Sequence, residues 1–302
     1  MNYRDKEKKR IIALRNEIFH DAGGGTYKGK QYPFVLENPT LNLWDGIRED
    51  CYRYFEENKI TWWGGEKEGV TGHLLSSQVA CLNHLYPVRQ RKDLATAILK
   101  TLRKDISSAV RMDSGFVEFE VVGHENYLGE RSHSRGINAT SIDAVMVGKK
   151  KSGANILVLI EWKYTEEYGS NDLYIPARAK IYDPLLAEKG CPILAEPTRD
   201  LYYEPFYQLM RQTLLGWLMV KIGEYGCDEF IHVHVIPEEN TKLLETVTAP
   251  CLTGTSMSDA WKHLLLHPDA YSVISPDAFM QPIETCADSH SILCYLAKRY
   301  WN

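Results

Sequence analysis

Residues 141–164 read Ser-Ile-Asp-Ala-Val-Met-Val-Gly-Lys-Lys-Lys-Ser-Gly-Ala-Asn-Ile-Leu-Val-Leu-Ile-Glu-Trp-Lys-Tyr, and they predict two β-strands joined by a basic turn between glycines. The strands span about 142–147 and 155–164. Side chains alternate between the faces of a strand, so Glu161 and Lys163 share one face and Trp162 points to the other. A tight turn brings the start of the first strand next to the end of the second. We therefore expect Asp143 to lie beside Glu161.

Two carboxylates and a lysine at one end of a sheet form a chemically meaningful set. Carboxylate oxygens suit a hard divalent cation that keeps some waters and accepts phosphate oxygens. Such a cation activates water and polarises a phosphoryl group, while an ammonium orients that water or offsets developing charge. An acid and a lysine two apart on a strand are most often solvated. Residues 155–160, however, are apolar on both faces, as in a covered central strand, and charges that end such a strand need partners or a metal.

Polar residues elsewhere are candidates for the same site. A helix predicted over 74–86 carries Gln78 on its apolar seam, where a polar group needs a specific partner. A strand predicted over 116–122 places Glu118 and Glu120 on one face, and either could be a further metal ligand or an outward-facing surface acid.

Two later elements complete the predicted core. A helix over 204–222 has Gln208, Arg211 and Gln212 on one polar face, which either faces the site or is solvated. A strand over 230–236 puts two histidines, His232 and His234, on one face as a weak metal-pair candidate without a third ligand. Further helices are predicted over 3–19, from residue 45, over 92–112, over 261–266 and over 291–300.

The acid that opens one strand and the Glu-x-Lys that ends the next resemble the PD-(D/E)XK nuclease superfamily. The resemblance implies an α/β (α+β) fold with a restriction-endonuclease-like αβββαβ core, in which helices flank a central mixed four-stranded sheet. The core would cover 71–237 with an insertion at 165–203. Helical extensions would cover 1–70 and 238–302 within the same domain.

A wider likeness to a bacterial branch of restriction-endonuclease-like proteins covers most of the chain. Its segments are Trp62-Trp63, Leu75-Ser76-Ser77-Gln78, Asn83 near Pro87, Ser141-Ile142-Asp143, Glu161-Trp162-Lys163-Tyr164-Thr165-Glu166, and Tyr207-Gln208 with Arg211-Gln212. Ile142 stands where the superfamily's name has Pro, at a position that varies among its members.

The resemblance also implies roles for individual residues. Asp143 and Glu161 would bind Mg²⁺, for which Mn²⁺ substitutes, and the backbone carbonyl of Trp162 would be a further ligand. Lys163 would position or activate the attacking water, and Gln78 would be the polar residue that the preceding helix contributes. The helical carboxylate found in some members is not identified in this sequence. Whether the site would use one metal ion or two therefore remains open.

Composition limits the class of protein. The chain has 302 residues, a net charge of −5, 44% hydrophobic and 25% charged residues, which is ordinary for a soluble globular protein. No apolar run is long enough to span a membrane, and no apolar signal core follows the N-terminus. Seven cysteines without C-x-x-C pairs predict reduced thiols and a cytoplasmic location.

Nucleic-acid contacts would come from local patches, because the chain as a whole is acidic. A polar loop just before Asp143 carries Arg131 and Arg135, and Gln208, Arg211 and Gln212 are the candidates on the later helix. Basic residues also cluster at 149–151 and at 89–92. A single basic patch of this kind is more often simply solvated.

These observations predict a Mg²⁺-dependent phosphodiester hydrolase, a restriction-like endonuclease acting on double-stranded DNA. A homodimer would suit cutting both strands. The alternative is a non-catalytic module that retains the fold and binds nucleic acid or protein. A third hypothesis, glycoside hydrolysis by Glu118 or Glu120 with Glu161, leaves Lys163 without a role.

Overall fold

The computed structural model describes residues 1–64, 69–135, 139–194 and 198–301. The helices are α1 (Tyr3–Phe19), α2 (Arg48–Glu57), α3 (Ser77–Leu85), α4 (Lys92–Leu102), α5 (Pro176–Leu186), α6 (Phe206–Ile222), α7 (Thr241–Glu245), α8 (Met257–Lys262), α9 (Pro276–Met280) and α10 (His290–Leu296). The strands are β1 (Thr26–Tyr27), β2 (Lys30–Gln31), β3 (Ile106–Val110), β4 (Glu118–Val121), β5 (Ile142–Lys150), β6 (Asn155–Trp162), β7 (Cys227–Val235) and β8 (Tyr271–Ile274).

A central mixed sheet organises the chain, as the sequence predicted. Its strands run in the order β3-β5-β6-β7-β8, and β4 also pairs with β5. The β5 strand is antiparallel to β3, β4 and β6, whereas β6, β7 and β8 are mutually parallel. Because β4 pairs with the first half of β5 and β3 with the second half, the two short strands share one edge of the sheet.

The prediction of four strands was wrong, since the described residues contribute six to this sheet. The helix predicted over 92–112 ends at Leu102, because Arg103 adopts an extended conformation. The following strand β3 contains Ser107 and Ser108, whose polar side chains interrupt the helical stripe. The C-terminal segment, predicted as helical, also contributes β8 to the sheet edge next to β7.

Both faces of the sheet are covered, which explains the continuous apolar run of β6. Alternate residues Ile156, Val158 and Ile160 belong to a core formed with helices α1 to α4. Leu157 and Leu159 belong to a second core formed mainly with α5, α6 and α8. Burying each of these side chains contributes about 1.5–3 kcal/mol, so the hairpin β5–β6 is held from both sides.

The turn between β5 and β6 fixes their register. The Lys150 and Gly153 amides donate to the carbonyls of Ala154 and Lys150, respectively. Gly153 has a φ of 96°, which residues with a side chain rarely adopt. The resulting register pairs Ala144 with Ile160.

The first helix and the C-terminal segment meet on the same side of the molecule. Arg10 of α1 donates to the backbone carbonyls of Lys298 and Arg299. Glu7 accepts a hydrogen bond from the Tyr164 hydroxyl at 2.6 Å, directly after Lys163. No helix within the described ranges is long and apolar enough to cross a membrane.

Candidate active site

Three acidic residues come together at one end of the sheet, on three neighbouring strands. Asp143 lies one residue beyond the Ala144–Ile160 pair, which places it opposite Glu161. On its other side, the β4–β5 register places Asp143 opposite Glu120. The predicted neighbourhood of Asp143 and Glu161 therefore follows directly from the tight β5–β6 turn.

Asp143 occupies the middle of this group. It is partly exposed, and its Oδ2 accepts a hydrogen bond from the Trp162 amide at 2.7 Å. Burial, and then the charges of Glu161 and Glu120, raise the pKa of Asp143 well above its ordinary value. A site that crowds carboxylates in this way gains stability from a cation or a proton.

Glu161 and Lys163 form a buried ion pair with two glutamine partners. Lys163 Nζ lies 2.6 Å from Glu161 Oε1 and donates to Gln208 Oε1, also at 2.6 Å. The Gln212 amide donates to Glu161 Oε2, and also to the Ser141 carbonyl at 2.9 Å. Glu161 is only 1% exposed. Gln212 of α6 binds its Oε2 directly, and Lys163, which is itself bound by Gln208 of α6, binds its Oε1.

The ammonium of Lys163 is held in its charged form. Burial alone would lower the pKa of this group, but the nearby Glu161 and then Tyr168 outweigh it and raise the pKa well above its ordinary value. The Tyr168 ring centroid lies 5.7 Å from the ammonium. Lys163 is therefore a donor of hydrogen bonds and positive charge, and not a proton acceptor.

Glu120 lies at the edge of the group and contacts Gln78 of α3. Its Oε1 accepts from Gln78 Nε2 at 2.7 Å and its Oε2 accepts from the Ser141 hydroxyl at 2.9 Å. The backbone of Glu120 has a positive φ of 49°. Burial raises the pKa of Glu120, and the two hydrogen bonds oppose this rise.

Glu118 has different surroundings. It accepts hydrogen bonds from the Tyr54 hydroxyl at 2.7 Å and from the amide and hydroxyl of Ser114. The two strand glutamates thus bind separate partners, although period-two alternation predicted a shared face. The unusual backbone of Glu120 accompanies this difference.

The residues predicted to contact nucleic acid fall into different positions. Arg135 is engaged inside the protein by the carbonyls of Phe119 and Glu120, the Tyr54 hydroxyl and Asn58. Gln208 and Gln212 point into the site, where they hold Lys163 and Glu161.

Two arginines remain nearer the surface. Arg211 donates to the Thr140 hydroxyl at 3.2 Å and lies over the Tyr207 ring. Arg131 is exposed.

The two histidines of β7 are buried beside the site. His234 lies opposite Glu161 in the β6–β7 register, and its Nδ1 is 3.0 Å from the Tyr271 hydroxyl. Burial lowers the pKa of His232 to about 3 and that of His234 well below its ordinary value, so both rings are neutral. Their ring centroids are 6.5 Å apart.

The side chains around Asp143 determine which kind of metal ion the site could bind. Among the described residues, no group of three or more His, Cys, Asp or Glu side chains is arranged to hold a metal ion. Mg²⁺ does not require such a group, since it commonly takes one or two carboxylates and keeps several waters. The adjacent acids Asp143 and Glu161, with the raised pKa of Asp143, fit that type of site.

Some partners in the site were not anticipated. Ser141 binds Glu120 through its hydroxyl and Gln212 through its carbonyl. Tyr168 stands over Lys163. The four-residue spacing of Gln208 and Gln212 was a usable signal, because it places both amides on one side of α6.

A mixed sheet flanked by helices, with Asp, Glu and Lys meeting at the end of an antiparallel pair, is compatible with the restriction-endonuclease-like class. The sequence profile of a family described as "Restriction Endonuclease associating with ARP" matches residues 13–301. The chain belongs to this family. No curated protein and no solved structure matches the chain.

Proposed function

We propose that this protein is a Mg²⁺-dependent phosphodiester hydrolase, an endonuclease that cuts DNA. The observation that carries the proposal is the juxtaposition of Asp143, Glu161 and the charged Lys163 at one sheet end. The match to a restriction-endonuclease family supports it.

The proposed division of labour follows from the contacts. Asp143, the partly exposed acid, would bind the cation together with Glu161 and the carbonyl of Trp162, and Glu120 would be a candidate outer ligand. The bound Mg²⁺ would supply Lewis acidity at the phosphoryl group and a more acidic water. Lys163 would orient the attacking water and offset negative charge at the phosphate, because its ammonium stays protonated.

Residues behind this group would hold it in place. Gln212 fixes Glu161, Gln208 fixes Lys163, and Gln78 fixes Glu120. Arg131 and Arg211 are the remaining candidates for phosphate contacts near the site. A duplex substrate would call for two copies of the site, which a homodimer would provide.

The test is cleavage of long mixed-sequence DNA by the wild type and by Asp143→Asn, with Mg²⁺ or Mn²⁺. The amide keeps an acceptor for the Trp162 amide but loses the charge that binds the cation. We expect cleavage that EDTA abolishes and that falls about 100-fold or more in the variant.

Asp269→Asn, at an exposed position, is the matched control and should cut like the wild type. Cleavage that persists in Asp143→Asn or in EDTA would refute the proposed site.

The second candidate is a non-catalytic module that binds nucleic acid or protein. It is favoured by the burial of Glu161, both of whose oxygens already accept hydrogen bonds. In this case the wild type would cut nothing in either metal, and Asp143→Asn would bind DNA with unchanged affinity.

A further inference from the structure

A cluster of partly exposed rings lies next to the candidate site, and we call it the aromatic patch: Tyr27, Tyr32, Phe34, Trp63 and His73. Trp63 is 48% exposed, whereas the other three large aromatic rings are half-buried and His73 is buried. The His73 ring centroid is 4.9 Å from Tyr27, 5.1 Å from Phe34 and 6.2 Å from Trp63. The rings therefore contact one another through the buried His73, and the set ends in one exposed indole, that of Trp63.

Cations surround this surface. Lys28 Nζ lies over the Tyr27 ring at 5.4 Å from its centroid, and Lys8 Nζ lies over Phe34 at 5.3 Å. Lys30 of β2 is exposed, and so is Arg4 of α1, whose charge acts on His73. Burial, and then the charges of Arg4, Lys8 and Lys28, lower the pKa of His73 to about 4, which reflects the same positive surroundings.

The backbone holds the patch in a fixed shape. Strands β1 and β2 form a hairpin whose two-residue turn, Lys28–Gly29, has positive φ at both positions, the geometry of a tight primed turn. Val35 pairs with His73 in an antiparallel bridge, which ties the hairpin side to the segment before α3. Rings on such a frame are ordered before any ligand arrives, and this lowers the entropic cost of binding.

A short chain of hydrogen bonds joins the patch to the acids. The Trp63 amide donates to Gln78 Oε1 at 2.9 Å, and Gln78 Nε2 donates to Glu120 Oε1 at 2.7 Å. The side chain of Gln78 therefore connects the backbone of Trp63 to the carboxylate of Glu120. A polymer bound at the acids would lie within reach of the patch.

We propose that the aromatic patch binds unpaired nucleobases of the nucleic acid that the candidate site cleaves. Trp63 would stack on a base, and Lys28, Lys30 and Arg4 would contact the flanking phosphates. Aromatic platforms beside a cationic track suit single strands, because every base has a ring face and every nucleotide carries a phosphate. The inference rests on the proposed nuclease function and narrows its substrate to nucleic acid with a single-stranded stretch.

The test measures binding without cleavage, by fluorescence anisotropy in EDTA. The probes are a short labelled oligothymidine and a blunt duplex of equal length. We expect the wild type to prefer the oligothymidine and Trp63→Ala to weaken that binding about tenfold. Leu266→Ala removes a similarly exposed apolar side chain, 50% exposed, and should leave binding unchanged.

The cations are tested with the same probe. Lys28→Ala and Lys30→Ala should each weaken oligothymidine binding. Each should also make the slope of log affinity against log salt concentration shallower by about 0.7. Lys100→Ala, at an exposed position on α4, is the matched control and should change neither quantity.

Three results would overturn the inference: the wild type binds neither probe, it prefers the duplex, or Trp63→Ala binds oligothymidine like the wild type. Failure of the proposed nuclease function gives a different pattern. Trp63-dependent binding without metal-dependent cleavage would refute the nuclease and retain the base-binding patch. Asp143-dependent cleavage with Trp63-independent binding would retain the nuclease and refute the patch.

Discussion

Gln212 is the side chain that most directly fixes the position of the Glu161 carboxylate. It donates to Glu161 Oε2 and to the Ser141 carbonyl, and thus ties α6 to both strands of the hairpin. Under the proposed function, in which Glu161 binds the cation, we expect Gln212→Leu to lower the rate of DNA cleavage about 10–100-fold, the usual cost of losing a hydrogen-bond partner of a metal ligand. Cleavage rates across a Mg²⁺ titration measure this effect, and the apparent metal affinity should fall with the rate.

Gln281→Leu, at an exposed position, is the control for the substitution itself. If Gln212→Leu lowers only the melting temperature while rate and metal dependence stay unchanged, the amide supports the fold and not the carboxylate.

Sequence reasoning reached the centre of the site more easily than its surroundings. Asp143, Glu161 and Lys163 could be placed together because a tight turn and strand alternation determine their positions. Arg135 could not be placed, because its partners Tyr54 and Asn58 lie on a helix far away in the sequence. A charged loop residue has the same sequence appearance whether it faces phosphate or a buried carbonyl.

At the level of elements, the close approach of α6 to β6 sets the geometry of the site. Gly216 lies one helical turn after Gln212, and a Cβ at this position would come 2.3 Å from Leu159 Cδ1. Leu159 is fully buried and cannot move freely. We expect Gly216→Ala to reduce the free energy of unfolding by about 1–3 kcal/mol, although alanine is the better helix former.

Urea unfolding measures this change. The same substitution should slow cleavage, since it displaces the helix that carries Gln208 and Gln212. The double variant Leu159→Ala with Gly216→Ala should be less destabilised than the sum of the single changes, because removing the Leu159 side chain makes space for the new methyl group. Strict additivity would show that the two positions do not compete for space.

The prediction of elements succeeded for the two longest helices and failed for two short strands. The seventeen-residue helices α1 and α6 were both predicted close to their observed bounds. The strands β3 and β8, of five and four residues, were missed. Such short strands gain their stability from pairing with β5 and β7, and that pairing leaves little trace in their own sequence.

On the scale of the whole molecule, four buried histidines make stability depend on pH. Burial lowers the pKa of His73 to about 4, that of His84 and His232 to about 3, and that of His234 well below its ordinary value. In the unfolded chain these groups titrate near 6.5. As the pH falls below about 6.5, the unfolded state binds protons that the folded state does not. The free energy of unfolding therefore decreases by about 1.4 kcal/mol per pH unit for each histidine, until the pH reaches the folded-state pKa.

His84 provides the variant that tests this dependence. The Trp301 indole N–H donates to its Nε2 at 3.1 Å, so its Nδ1 carries the proton that meets the Ala80 carbonyl at 2.6 Å. Urea unfolding at pH 5, 6 and 8 should give a shallower loss of stability for His84→Gln than for the wild type. The raised pKa values of Asp143 and Glu120 have the opposite effect, since protonation of these carboxyls at lower pH favours the folded state. This effect is the same in the wild type and in the variant, so it cancels in the comparison. Equal slopes would contradict the assignment.

The contact between α1 and the C-terminal segment has a consequence for synthesis on the ribosome. Arg10 and its partner Lys298 are 288 residues apart in the sequence. The hairpin at 141–164 leaves the ribosome long before residues 298–299, so α1 forms this contact only well after strands β5 and β6 have emerged. Glu7, which contacts Tyr164 beside Lys163, therefore lies on a helix whose contacts are complete only after residues 298–299 have been synthesised. A nascent chain with this topology acquires its final arrangement around the candidate site late.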